Sequence, residues 1–180
     1  MIIDCHGHYT TEPKQFVDWR QAQLKMLERD DYSPSSDQLV ISDDEIRVSI
    51  EQNQRRLQLE RSTDVTILSP RASGMGHHLG SAETSVEWTQ VSNDMIARVV
   101  GLFPKNFVGV CALPQFPGVE PKESIQELVR AVMDLGFVGC NLNPDPSGGN
   151  WTGRPLTDKM WYPLYEKMCE LDVPAMIHVS

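Results

Sequence analysis

Two histidines, His6 and His8, follow a short apolar run near the amino terminus, in the stretch IIDCHGH. Side chains alternate along an extended backbone, so residues i and i+2 point to the same face. Two neutral imidazoles on one face can bind one metal ion. A hydrogen-bonded core role is more common for an isolated histidine, but the H-x-H spacing at the end of a strand favours a metal site.

A third histidine, His178, stands in a second strand-like run, VPAMIHVS. Three protein ligands with an open position are the arrangement of catalytic zinc, which lowers the pKa of a bound water and polarises carbonyl groups. The residue types therefore predict one Zn²⁺ held by His6, His8 and His178. Manganese or iron in a similar set of ligands is an open alternative.

These histidines need elements that bring them together, and the chain has a repeating pattern that can do so. Short β-branched or apolar runs alternate with amphipathic stretches of helical spacing. The capping-box pattern at Ser42 and Glu45 predicts the start of one helix, and Pro121 is expected at the first position of another. Five strands are predicted at about residues 2–8, 64–70, 107–114, 136–144 and 173–180, with helices at about 13–29, 42–59, 88–102, from 121, and from 157 or 158.

Alternating strands and helices are typical of a parallel sheet with helices outside, and the polar residues follow the strands, where such folds place their sites. Because no glycine-rich phosphate loop follows the first strand, a (β/α)8 TIM-type barrel is favoured over an open sheet. A complete barrel needs about 250 residues. Residues 1–180 are therefore expected to be the N-terminal part of one barrel domain, covering about five strands, with a helical and loop insertion at about 13–42. The alternative is a half-barrel that covers its open edges by association.

Five residues near predicted strand ends are candidates for substrate binding. Arg71 directly follows the second strand and offers a two-pronged donor for a carboxylate. Ser73 follows in the same loop, and Arg154 lies in the loop before the last helix. Asn141 and Asn143 share one strand face, although asparagine before proline is also a common turn former. For His77 and His78, an exposed loop explains the pair at least as well as a second set of metal ligands.

The composition limits the partners. A net charge of -9 argues against a nucleic-acid backbone or an anionic membrane as partner. No apolar run is long enough to span a bilayer, and the amino terminus lacks the pattern of a signal peptide. A cytoplasmic protein that acts on a small anionic substrate and forms a homo-oligomer is expected.

The motifs IDCHGH, LGFVGCNLNP and VPAMIHVS together resemble the amidohydrolase superfamily, in particular its branch of decarboxylases and hydratases that bind one metal ion. The resemblance covers the whole chain and implies that His6, His8 and His178 are metal ligands. It also implies an acidic ligand or catalytic acid beyond Ser180. The binuclear branch has a bridging lysine or glutamate after strand four, where this chain has Cys140, Asn141 and Asn143, so one metal is expected.

Three functions are compatible with the sequence. The resemblance of the loop SPRASGM favours a hydratase that adds water to the carbon–carbon double bond of a small polycarboxylate from aromatic ring cleavage. A nonoxidative decarboxylase of an aromatic or muconate acid fits the same architecture. A noncatalytic half-barrel module is the third possibility. Fold alone does not choose among them.

Overall fold

The computed structural model describes residues 1–29, 39–71 and 76–179, in which short strands alternate with helices. The strands are β1 (Ile3–His8), β2 (Val65–Ser69), β3 (Phe107–Gly109), β4 (Cys111–Ala112), β5 (Cys140–Leu142) and β6 (Ala175–Ile177). The α-helices are α1 (Lys14–Glu28), α2 (Asp43–Ile50), α3 (Arg56–Arg61), α4 (Ala82–Leu102), α5 (Lys122–Met133) and α6 (Tyr162–Leu171). A π-helical turn at Glu51–Arg55 joins α2 to α3, and a 3-10 turn at Lys159–Trp161 precedes α6.

The strands pair in parallel, in the orders β1-β2-β3 and β4-β5-β6. Between β3 and β4, Val110 donates its N–H to Leu68 O, and Cys111 donates to Gly139 O, each at 3.0 Å. One extended stretch thus contacts β2 on one side and β5 on the other. The five predicted strand positions are confirmed in their parallel order, and the third is split into two short segments. This is the arrangement of consecutive strands in a barrel.

The helix ends follow local hydrogen bonding. Ser42 and Glu45 form the predicted capping box before α2, with Ser42 N–H donating to Glu45 Oε2 at 2.9 Å. An equivalent box at Ser81 starts α4, six residues before the predicted start. Pro121 is the N-cap of α5 rather than its first helical residue, which corrects the prediction.

A buried core lies between the helices and the sheet. Trp88, Ile96, Phe107 and Leu128 are among its fully buried side chains. Ile2 and Ile3, from the apolar run before the H-x-H pair, are each 54% exposed, because β1 has a single neighbour, β2, among the described strands. Apolar residues that belong on an interior strand therefore lie at a sheet edge.

A buried polar cluster fixes α4 and α5 to the end of the sheet. Asn93 of α4 accepts a hydrogen bond from Ala112 N–H at 2.9 Å and donates to Ala112 O at 3.0 Å. The same amide donates to Glu127 of α5 at 2.6 Å, and Arg130 donates twice to the Glu127 carboxylate at 2.8 Å. Because every partner is paired, this cluster holds β4 in a defined position.

Across residues 1–29, 39–71 and 76–179, none of the helices combines the length and the apolar character needed to span a bilayer.

Candidate metal centre

The three predicted ligands lie together. The Nε2 atoms of His6, His8 and His178 form a triangle with each side 2.9 Å. Their rings are nearly perpendicular to one another, with interplanar angles of 76°, 83° and 84°. His6 and His8 come from β1, while His178 directly follows β6, where its N–H donates to Leu142 O at 2.8 Å. The outer strands β1 and β6 thus deliver their histidines to one point.

An irregularity in β1 precedes the H-G-H stretch. Asp4 pairs with Thr66 and Gly7 pairs with Leu68, so three steps along β1 match two steps along β2. Such a bulge redirects side chains and is common beside functional sites. The His6 N–H donates to Asp4 Oδ1 at 3.1 Å within this bulge.

The contacts of His8 define which of its ring nitrogens carries the proton. Its Nδ1 lies 3.1 Å from Pro70 O, which can only accept, and 2.8 Å from Ser69 Oγ. Ser69 Oγ in turn donates to Gly7 O at 3.2 Å, so it can accept from His8. His8 therefore carries its proton on Nδ1, and its Nε2 lone pair points into the triangle. No sequence pattern indicates that Ser69 and Pro70 have this orienting role.

The donor set fits a metal ion. His8 Nε2 has no proton to share, and one N–H can point to only one neighbour, so hydrogen bonds cannot account for all three contacts. Three nitrogens 2.9 Å apart can all lie within the usual zinc–nitrogen bond length of about 2.1 Å from one common point. Burial lowers the pKa of His8 and of His178, and the neighbouring histidines lower both further. The neutral form, which binds metals, is therefore favoured.

The glycine between the two ligands of β1 is required by packing. A Cβ at Gly7 would lie 2.3 Å from Thr66 Cγ2 and 3.2 Å from Ile67 O. We expect Gly7→Ala in the full-length protein to displace β1 and weaken metal affinity by about 10- to 100-fold, the usual cost of disturbing the surroundings of a metal ligand. Titration with Zn²⁺ against a competing chelator measures this affinity.

The matched control is Thr66→Ser, which removes Cγ2 but keeps the hydroxyl that accepts from Gln58 Nε2 at 2.8 Å. The double variant Gly7→Ala, Thr66→Ser should recover part of the lost affinity, because only the Ile67 O contact remains. Wild-type affinity in Gly7→Ala alone would show that the glycine is dispensable.

Arg71 is exposed just beyond β2 and lines a small cavity with Tyr9, Glu12 and Phe16. Burial raises the pKa of Glu12, and the charge of Arg71 acts in the opposite direction. Among the described residues, no carboxylate oxygen forms an ion pair with Arg71 within 4.0 Å. Ser73 lies outside the described residues.

The other three candidates have different surroundings. Asn141 and His6 both line a cavity of about 180 Å³ beside β1, β5 and β6. Asn143 is buried, and its Oδ1 accepts from Asp145 N–H at 3.0 Å, as a turn former does. Arg154 is ion-paired with Asp158 at 3.0 Å. The structure thus brings Asn141 to the same cavity as His6, while Asn143 and Arg154 have partners within the chain.

The expected exposed loop at His77 and His78 is wrong for His77, which is only 5% exposed. Its Nδ1 contacts Ser85 Oγ and the backbone N–H of Gln115. His78 is exposed, as expected. The burial of His77 was missed because adjacent histidines in a glycine-rich loop have no periodicity that indicates burial.

The chain is 57% identical over 180 residues to 2-keto-4-carboxy-3-hexenedioate hydratase of Sphingobium sp. SYK-6, covering 100% of this chain and 52% of the relative. It resembles the crystal structure of 4-oxalomesaconate hydratase from Rhodopseudomonas palustris with a TM-score of 0.92 and 52% identity, covering 100% of this chain and 53% of the other. The chain thus spans about half the length of the relatives it matches.

A more distant match is dihydroxybenzoic acid decarboxylase from Polaromonas sp. JS666, solved with bound manganese and the inhibitor 2-nitroresorcinol. The TM-score is 0.66 at 26% identity, covering 99% of this chain and 49% of the other. These neighbours confirm the fold class as part of an amidohydrolase-type TIM barrel. The amidohydrolase family profile matches residues 3–180. The chain therefore belongs to the amidohydrolase family.

Proposed function

We propose that the complete protein is a metal-dependent hydratase that adds water to the double bond of 4-oxalomesaconate, giving 4-carboxy-4-hydroxy-2-oxoadipate. The observation that carries the proposal is the convergence of three histidine Nε2 atoms, 2.9 Å apart, in a chain 57% identical throughout to a hydratase. Such a centre supplies a site for water and for the substrate carbonyl.

In this proposal His6, His8 and His178 hold one Zn²⁺, and Ser69 and Pro70 keep His8 in the metal-binding tautomer. When bound, zinc lowers the pKa of its water toward neutrality and polarises the 2-keto group, which takes up negative charge during water addition. Arg71 binds a substrate carboxylate, and Asn141 contributes a polar contact. The acid that protonates carbon is expected from the part of the barrel that follows Ser180.

The neighbours of the histidines support one metal ion. Cys140, Asn141 and Asn143 occupy the region where the resemblance places the bridging ligand of the binuclear branch. Burial raises the pKa of Cys140 to about 12, so this thiol stays protonated and is a poor ligand. Manganese is the alternative ion, since the Polaromonas decarboxylase was solved with it.

The second candidate function is nonoxidative decarboxylation, favoured by the fold it shares with the Polaromonas enzyme. The two candidate functions differ in support, because the chain is 52% identical to the hydratase structure and 26% identical to the decarboxylase structure. They also differ in the atoms exchanged. A hydratase takes oxygen from solvent and keeps every carbon, whereas a decarboxylase releases carbon dioxide.

The test uses the full-length protein with 4-oxalomesaconate in oxygen-18 water. We expect one labelled hydroxyl at the tertiary carbon, detected by mass spectrometry, and no release of carbon dioxide. Stoichiometric carbon dioxide from a carboxylated aromatic or muconate acid, with 4-oxalomesaconate left unchanged, would establish the decarboxylase instead. Metal binding without turnover of either substrate would favour the noncatalytic module.

Three features of the whole protein belong to the same proposal. We propose one barrel domain that begins with residues 1–180 and contains the insertion at about 13–42, a cytoplasmic location, and a homo-oligomeric assembly. The acidic composition supports a small-molecule substrate over nucleic acid or an anionic membrane. Light scattering of the full-length protein measures the oligomeric state directly.

A further inference from the structure

His77 lies in the turn after β2, and its ring is enclosed by two other elements. Its Nδ1 is 3.3 Å from the backbone nitrogen of Gln115, just beyond β4, and 3.0 Å from Ser85 Oγ of α4. The side chain is 5% exposed. The His77 imidazole is thus buried and held by two hydrogen-bond partners, unlike a side chain in an exposed loop.

These contacts define the protonation of His77. The backbone N–H of Gln115 can only donate, so Nδ1 must accept and carries no proton. The hydroxyl of Ser85 can donate to the same nitrogen. His77 is therefore the uncharged tautomer with its proton on Nε2. A proton on Nδ1 would face the Gln115 N–H and break that contact.

Gln115 extends this connection to β5. Its Nε2 donates to Asn143 O at 3.1 Å, and Asn143 N–H donates to Gln115 Oε1 at 2.8 Å. All of these groups are buried. The chain segments that follow β2, β4 and β5 are thus joined by one polar network that begins at His77. These segments lie at the carboxyl ends of the strands, where Arg71 also lies.

We propose that His77 is a positioning residue that, as the uncharged Nε2–H tautomer, fixes its own turn, before α4, to the ends of β4 and β5, and so orders the side of the strand ends where Arg71 also lies. It does not bind the metal. Its kinetic consequence depends on the proposed hydratase function, whereas its protonation state does not.

Burial and the neighbouring charges keep the His77 ring uncharged at neutral pH. Burial lowers the pKa of His77 to about 4, and the charges of His78 and of Arg20 in α1 act in the same direction. Its partners Ser85 and Gln115 carry no charge. The unfolded chain, with a histidine pKa near 6.5, takes up a proton first as the pH falls. The contribution of His77 to stability is therefore complete above pH 6.5 and declines between 6.5 and about 4.

The direct test is nitrogen-15 NMR of histidine-labelled full-length protein, with His77 identified by its absence in His77→Asn. We expect an unprotonated Nδ1 and a protonated Nε2 at pH 7, unchanged down to about pH 5. A charged ring, or a proton on Nδ1, at pH 7 would overturn the proposal. This result needs no substrate, so it stands apart from the fate of the hydratase assignment.

The kinetic test compares two variants. His77→Asn places an amide oxygen where Nδ1 accepts, and His77→Ala removes the acceptor. We expect His77→Ala to raise KM for 4-oxalomesaconate about tenfold with unchanged metal content, and His77→Asn to stay within about threefold of wild type. Equal losses in both variants, or a loss confined to kcat, would contradict a positioning role. If the wild type does not turn over 4-oxalomesaconate, the proposed function is rejected. The NMR result then tests the role of His77 by itself.

Discussion

Replacing His8 by alanine in the full-length protein should remove the bound metal and lower kcat/KM by about a thousandfold, since a catalytic metal supplies several kcal/mol of charge stabilisation. The variant lacks one of the three Nε2 atoms that lie 2.9 Å apart. Ser69 and Pro70 also lose the imidazole that they orient. The same loss is expected for His6→Ala and His178→Ala. Elemental analysis of the purified variants measures metal content, and initial rates measure activity.

The matched control for metal content is His77→Ala, because His77 lies outside the triangle and contacts Ser85 and Gln115 instead. Its metal stoichiometry should equal that of the wild type. Full metal occupancy in a His6→Ala, His8→Ala double variant would show that the ion binds elsewhere and would remove the basis of the proposed mechanism.

The triangle was predictable because two simple regularities suffice for it. The alternation of side chains places His6 and His8 on one face, and the parallel order of the strands directs His178 to the same end of the sheet. The tautomer of His8 was not predictable, since it depends on Pro70 O and Ser69 Oγ, about 60 residues away along the chain.

The strand order and one helix start were also predictable from the sequence. Hydrophobic period and capping residues indicated the strand order and the start of α2, because these signals act over a few residues. The bulge in β1, the π-helical turn at Glu51–Arg55 and the division of the third strand around Val110 were missed. The bulge and the division arise from pairing with neighbouring strands, to which a local pattern is insensitive.

Residues after the strands were the hardest to assign, because loop side chains have no period that reports burial. His77 was expected in an exposed loop and is buried. Asn143 and Arg154 were chosen for their chemistry, yet the amide oxygen of Asn143 accepts from Asp145 N–H and the guanidinium of Arg154 pairs with Asp158. The role of Arg71, which lines the small cavity with Tyr9 and Glu12, stays a prediction.

Arg71→Ala is accordingly expected to lower kcat/KM for 4-oxalomesaconate by about 10- to 100-fold, because each charge-assisted hydrogen bond to a carboxylate contributes about 1.5 to 3 kcal/mol. Metal content should stay unchanged. Arg71→Lys keeps the charge but loses the two-pronged geometry, so its loss should be intermediate.

Arg154→Ala is the control for the Arg71 variants. Arg154 is 65% exposed at its side chain and pairs with Asp158, so removing it should change kcat/KM by less than about fivefold, the range of an exposed ion pair. Steady-state kinetics of the three variants with the same substrate rank the two arginines. A larger loss in Arg154→Ala than in Arg71→Ala would transfer the carboxylate contact to the loop before α6. The turn after β2 would then keep its place in the structure without a part in binding.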